Sequence, residues 1–193
     1  MLTPVVPDGL HVLLVRRTDD VGKWSLPGTF LHEGETLADA VLRSLDQKAH
    51  LTGQSPRQLH VFDASGRDDR GWVLSVAHVV LLAAHVVLPV VESHPADVRL
   101  RPVAEAVGLP FDHDDIVRRA VATVRQEYAE RPDPERLLTE PFTLRQLRVL
   151  HEAVVGGPLQ RDVFRRRVRD HLLSTQQKTS GEVGKPAELF RHA

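Results

Sequence analysis

Apolar and polar positions alternate differently along the chain, predicting a strand-rich first part, a long helix, and then two helices followed by short strands. Val5 and Val6 precede the turn signal Pro7-Asp8-Gly9, and HVLLVRR follows at 11–17, which predicts a hairpin. Leu37, Val41 and Leu45 recur at the spacing of one face of an amphipathic helix. The stretch LHVFDASGRDDRGWVLSVAHVVLL at 59–82 predicts two strands joined by the polar loop GRDDRG. The long apolar region at 73–91 is interrupted by His78, His85 and Pro89, and its β-branched content predicts consecutive buried strands, not a membrane span. Ile116, Ala120 and Val124 predict a helix within 115–130, and RPDPER at 131–136, with its two prolines, reads as a linker. The domain boundary is therefore placed near 136, giving domains 1–136 and 137–193.

Beyond that boundary, Thr143 and Gln146 have the spacing of a capping box, and Leu147, Leu150 and Val154 supply an apolar stripe up to the stop signal Gly156-Gly157. A second helix is expected in PLQRDVFRRRVRDHLL at 158–173, with Phe164, Val168 and Leu172 inward. Arg161, Arg165 and Arg169 lie along an outer face with Arg166 beside them. The remaining residues form two short strands around a glycine-bearing loop, so the order is helix, turn, basic helix, hairpin: a winged helix-turn-helix. The basic helix would enter a major groove, where arginine pairs with guanine or neutralises phosphates, while Lys178 and Lys185 near the hairpin loop would touch the flanking backbone. A solvated helix can carry the same arginines.

Composition narrows the setting. The 193 residues, 41% hydrophobic and 26% charged, are ordinary for a soluble globular protein. With no cysteine, disulfides and thiolate metal sites are excluded, and a cytoplasmic location is expected in the absence of a signal-peptide pattern. The net charge of −1 conceals an asymmetry: residues 141–193 hold ten Lys or Arg against five Asp or Glu, and residues 1–140 hold fifteen against twenty-one. A basic quarter on an acidic body suggests a nucleic-acid partner.

The candidate chemistry lies in LPGTFLHEGETLADAVLRSLDQKAHL at 26–51. This stretch resembles the Nudix box. Thr29 stands at the opening glycine, just after Gly28; Glu35 and Arg43 match the loop glutamate and the helix arginine; Leu45 and Leu51 match the two aliphatic positions. The three glutamates that hold the divalent metal in that family correspond here to Ser44, Gln47 and Lys48, and His50 replaces the closing glycine. Positions 44, 47 and 48 share one helix face. Three glutamates would give that patch a formal charge of about −3, whereas Ser, Gln and Lys give about +1, the wrong sign for a hard cation that wants oxygen ligands. No catalytic residue, metal site or cofactor is therefore expected, and magnesium would enter only if hydrolysis persists through carboxylates recruited from Glu33, Glu35 or Asp46. Lys48 could instead meet a diphosphate directly.

Two further segments carry the resemblance over nearly the whole chain. GRDDRG at 66–71 resembles the RDPRG segment of one Nudix branch, the Nudix-related transcriptional regulators of NAD metabolism, in which a segment like LPFDHDDIV at 109–117 introduces a helix. FTLRQL, PLQRDVFRRRV and GKPAELF, in that order, resemble the carboxy-terminal domain of the same branch. Relative to that branch the opening strand is short, which suggests that the natural start lies upstream of Met1. The resemblance implies an α+β chain: a Nudix-type α/β/α sandwich with a mixed sheet, then a small winged helix domain. It implies a homodimeric repressor of NAD or pentose genes that binds a double-stranded operator and senses ADP-ribose or a related nucleoside diphosphate. Arg17, Trp24, Lys48, Arg67 and Arg70 are the candidate ligand contacts, and Glu35 with Arg43 a structural pair beside Gly28. Trp24 also fits a core aromatic, and Arg67 and Arg70 also fit pairing with Asp68, Asp69 or another subunit. An active Nudix hydrolase with non-standard ligands is the alternative.

Overall fold

The computed structural model describes residues 1–18, 23–68, 71–180 and 186–193. Two compact units emerge, one of residues 1–3 and 11–122, the other of residues 4–10 and 123–193.

In the first unit, β1 (Leu2–Val5) and β2 (Gly9–Arg16) form the expected hairpin, whose turn belongs to the second unit. Strand β2 is the centre of a four-stranded sheet, pairing with β1, with β3 (Trp24–Ser25) and, once the chain has passed through α1 (Leu37–Ala49), β4 (Arg57–Phe62), β5 (Ser75–Val79) and α2 (Ala84–Ser93), with β6 (Val98–Pro102). Strands β4 and β5 form a separate antiparallel pair, and a parallel bridge between Leu2 and Leu81 gives the strand arrangement its mixed character. Successive side chains of a strand point to opposite faces. Val12, Leu13, Leu14 and Val15 are all buried, so β2 is covered on both sides. Leu13 and Val15 pack with Leu45 and Ala49 of α1, Val87 of α2 and Val98 of β6.

The apolar region 73–91 departs from the sequence expectation. Only its first half is a strand; 84–93 is helix α2, even with Pro89 inside it. Val87, Val90 and Val91 explain this, because their i, i+3, i+4 spacing puts all three against one core, and that burial outweighs β-propensity and the proline. Helix α3 (His113–Glu130) follows β6, and its stripe Ile116, Ala120 and Val124 is buried as expected.

The division between the compact units falls between residues 122 and 123, within α3. Within RPDPER, Arg131, Glu135 and Arg136 are exposed and one residue is buried. Asp133, 1% exposed, accepts hydrogen bonds from the Tyr128 hydroxyl and from the Leu137 and Leu138 amides, while its own N–H donates to His151 Nε2. Four hydrogen bonds on one buried residue tie this segment into the second unit.

That unit continues with β7 (Phe142–Thr143), α4 (Leu144–Val155), α5 (Arg161–Val168), a short 3-10 turn (Arg169–His171), β8 (Leu172–Lys178) and β9 (Glu188–His192). The Thr143–Gln146 capping box forms in both directions, and α4 closes on Gly156 in the left-handed region, φ 84°. Sheet order β7-β9-β8 builds the wing. Phe142, Leu147, Phe164, Val168 and Leu172 make the core. Leu172 and Arg169 lie beyond the second helix, not on it as the sequence suggested, because α5 ends at Val168 and the chain turns into β8.

Candidate functional site

Helix α1 is anchored before it presents any chemistry. Thr36 Oγ1 accepts from the Asp39 N–H and Asp39 Oδ2 accepts from the Thr36 N–H, a capping box that fixes the first turn. One turn on, Arg43 gathers the preceding loop. Its Nε donates to Glu35 Oε1 at 2.7 Å, Nη2 to Glu35 Oε2 at 2.9 Å and to the Phe30 carbonyl, and Nη1 to Thr29 Oγ1 at 3.0 Å. The Arg43 hydrogen bonds, helped by the His32 N–H, hold the Glu35 carboxyl down at about 2. The expected Glu35–Arg43 structural pair is therefore present, and it leaves Glu35 committed to the loop. At the other end, His50 takes the left-handed conformation, φ 53°, that the family's glycine would take, and its ring stacks on His94 at 3.9 Å between centroids.

Ser44, Gln47 and Lys48 occupy the second half of α1. Ser44 is 4% exposed and its Oγ has no hydrogen-bond partner among the described residues, while Gln47 and Lys48 are exposed. Lys48 Nζ donates to the Gly28 carbonyl at 2.5 Å. All four residues line a cleft of about 1040 Å³, to which Arg17, Arg67 and His113 also contribute. The volume is at the upper end for small-molecule sites, enough for a dinucleotide-sized ligand.

This donor set does not fit a divalent metal. Ser44, Gln47 and Lys48 offer one hydroxyl, one amide and no carboxylate, with the ammonium placed on the Gly28 carbonyl. Among the described residues no group of three or more His, Cys, Asp or Glu is placed to hold an ion.

The far wall of the cleft is held by the segment before α3. Arg67, its side chain 7% exposed, makes a bidentate pair with Asp112 at 2.8 and 2.6 Å. The Arg17 guanidinium lies over the Phe111 ring at 5.0 Å. His113 Nδ1 accepts from the Leu26 N–H at 3.2 Å, and burial pushes the imidazole down to about 4, so it is neutral at pH 7. Trp24 is not among the lining residues; the Arg99 guanidinium sits over its ring at 4.2 Å. Arg70, like Asp69, lies outside the described residues. Sequence reasoning used LPFDHDDIV only as a helix start and missed Phe111, Asp112 and His113 as part of the site. The available signal was an aromatic and three acidic residues crowded around one histidine at the start of α3.

In the second unit, α5 buries Phe164 and Val168 and exposes Arg161, Arg165 and Arg166. Gln160 caps it, its Oε1 accepting from the Val163 N–H. Arg169 is exposed in the 3-10 turn, Lys178 closes β8, and Lys185 lies outside the described residues. Arg167, which the sequence reading left out, packs over the Phe164 ring at 5.4 Å.

Comparison with known proteins covers both units. Residues 3–124 match the Nudix domain, and residues 134–192 match the NrtR DNA-binding winged helix domain. The chain is 28% identical over 191 residues to the ADPR responsive transcriptional repressor NtrR of Acinetobacter baylyi, covering 95% of this chain and 76% of that protein. It superposes on Shewanella oneidensis NrtR complexed with a 27mer DNA with a TM-score of 0.81 at 33% identity, covering 100% of this chain and 91% of that one. For the Nudix domain of the same Shewanella protein complexed with ADP ribose, the TM-score is 0.54 at 30% identity, over 63% of this chain and 82% of that one. Among the described residues no helix is long and apolar enough to cross a membrane. The degenerate box on α1, the winged helix around α5 and these likenesses lead to one assignment: the chain belongs to the NrtR family, regulators that join a Nudix domain to a winged helix DNA-binding domain.

Proposed function

We propose that this protein is an ADP-ribose-responsive transcriptional repressor. The effector, ADP-ribose or a close nucleoside diphosphate relative, would occupy the cleft beside α1, and the face carrying Arg161, Arg165 and Arg166 would bind an operator. One observation carries the reading: the chain is alike over its full length to a regulator held on DNA. A homodimer would set two basic helices about 34 Å apart, one DNA turn, on a pseudo-palindrome. The effector would weaken DNA binding only to the extent that it prefers the arrangement that does not fit the operator. Genes of NAD or pentose metabolism are the expected targets. A gel-shift with DNA from upstream of its own operon, with and without ADP-ribose, tests this. A shift that ADP-ribose reverses is expected, and no shift on any candidate promoter at low salt would reject the regulator reading.

A further inference from the structure

The second half of α1 is built for a cation. The partial negative charge at a helix C-terminus points there, and the Gly28 carbonyl faces the last turn. The cation present is the side chain of Lys48, whose Nζ lies 2.5 Å from that carbonyl oxygen. An ammonium has three donors, so one can stay on Gly28 while the others reach an anion in the cleft. Beside it, Ser44 Oγ is buried at the cleft wall with no partner among the described residues, although a buried hydroxyl ordinarily has one. A phosphate oxygen accepting from both Lys48 and Ser44 would satisfy the hydroxyl and be neutralised by the ammonium.

We infer that Lys48, seated on the Gly28 carbonyl beside the unpartnered Ser44 hydroxyl, is a tethered cation that binds the ligand's diphosphate directly, so that this site needs no divalent metal. The inference rests on the effector reading, which it deepens by assigning the diphosphate end of the ligand to these atoms. It also implies a change of dependence. A site whose cation is covalently attached does not follow the free magnesium concentration, whereas one that shares a metal with its ligand does.

Calorimetric titration of the full-length protein with ADP-ribose, and separately with inorganic pyrophosphate, each in EDTA and in excess magnesium, tests it. Wild-type affinity for both should agree within about twofold between the two conditions. Lys48→Met keeps most of the stem and loses the charge, and should weaken both ligands about tenfold or more. Its DNA binding without effector and its far-ultraviolet circular dichroism should match wild type, which separates lost charge from misfolding. The variant Ser44→Glu with Gln47→Glu and Lys48→Glu should bind manganese by electron paramagnetic resonance, whereas the wild type should not. Wild-type binding abolished by EDTA, or Lys48→Met binding as tightly as wild type, overturns the inference and leaves the effector reading standing. Pyrophosphate bound in EDTA through Lys48, with no ADP-ribose binding, sustains the inference and sinks ADP-ribose as effector. Binding of neither ligand overturns both.

Discussion

Arg43 shows how much of the site depends on one side chain. Its guanidinium joins Glu35, Thr29 and the Phe30 carbonyl, so the loop that carries Gly28 is held by a planar fork. Arg43→Lys keeps the charge but cannot make these bonds together. It is therefore expected to lower the melting temperature and ADP-ribose affinity nearly as much as Arg43→Ala, by thermal denaturation and calorimetry; full rescue by lysine would show that charge alone matters. Glu35 adds an acid limit. Its folded pKa of about 2 lies below its ordinary value, so its contribution is complete above about 4.5 and is lost as pH falls through about 2. With Ser44, Gln47 and Lys48 at the metal positions, magnesium-dependent cleavage of ADP-ribose should be negligible, and turnover of about 1 per second or more would restore the hydrolase alternative.

At the scale of elements, local signals were legible and long-range ones were not. The hairpin turn, the Thr143–Gln146 cap, the glycine stop at Gly156 and the stripes of α3 and α4 are written in adjacent residues, and each has formed. On α1 the expected stripe buries only Leu45, with Val41 half-buried and Leu37 exposed, and the buried face runs instead through Ala40, Ser44, Leu45 and Ala49. Helix α2 was hidden because Val87, Val90 and Val91 choose their conformation through β2, β6 and α1, which lie far away in sequence. Asp133 was hidden for a similar reason: its prolines suggested a linker, while its partners Tyr128, Leu137, Leu138 and His151 become visible only after folding. In the site, Glu35 with Arg43 could be read from spacing, but the Arg67–Asp112 pair, which closes a wall across 45 residues, could not. Two predictions belong here. Gly156 is left-handed, and a β-carbon on it would meet Arg125 Nη2 at 2.9 Å, so Gly156→Ala should cost about 1 kcal/mol or more of second-unit stability by urea unfolding. His151 is buried, and burial, with the nearby Arg167, lowers its folded pKa to about 3. The unfolded chain then binds a proton from about 6.5 downward that the folded unit refuses, so stability should fall with decreasing pH by about 1.4 kcal/mol per unit until about pH 3. His151→Gln should flatten that slope by about one proton, and an imidazole seen by NMR to titrate near 6.5 in the folded protein would contradict the assignment.

At the scale of the whole molecule, the opposed charges of the two parts decide how it meets DNA. The last quarter holds ten cations against five anions on a chain whose net charge is −1, so attraction to the duplex must be local to the winged helix. Binding that neutralises phosphates releases counterions, and the logarithm of affinity falls by about 0.9 per contact for each decade of salt. Arg165 and Arg166 are exposed on the same short helix and neither supports the core, which rests on Phe164 and Val168. If the protein binds as the proposed homodimer, replacing both by Ala removes up to four contacts, and the salt slope should become shallower by about 3 to 4. ADP-ribose affinity should not change, because these arginines do not line the cleft beside α1. The slope also separates two roles. If the arginines only neutralise phosphates, affinity should drop equally on operator and random duplex; if one of them reads guanine, the loss on operator should exceed the loss on random DNA by about 1 to 3 kcal/mol per half-site. Equal loss of ADP-ribose binding and DNA binding would mean that the substitutions unfold the protein, and an unchanged salt slope would move the DNA-binding surface away from α5.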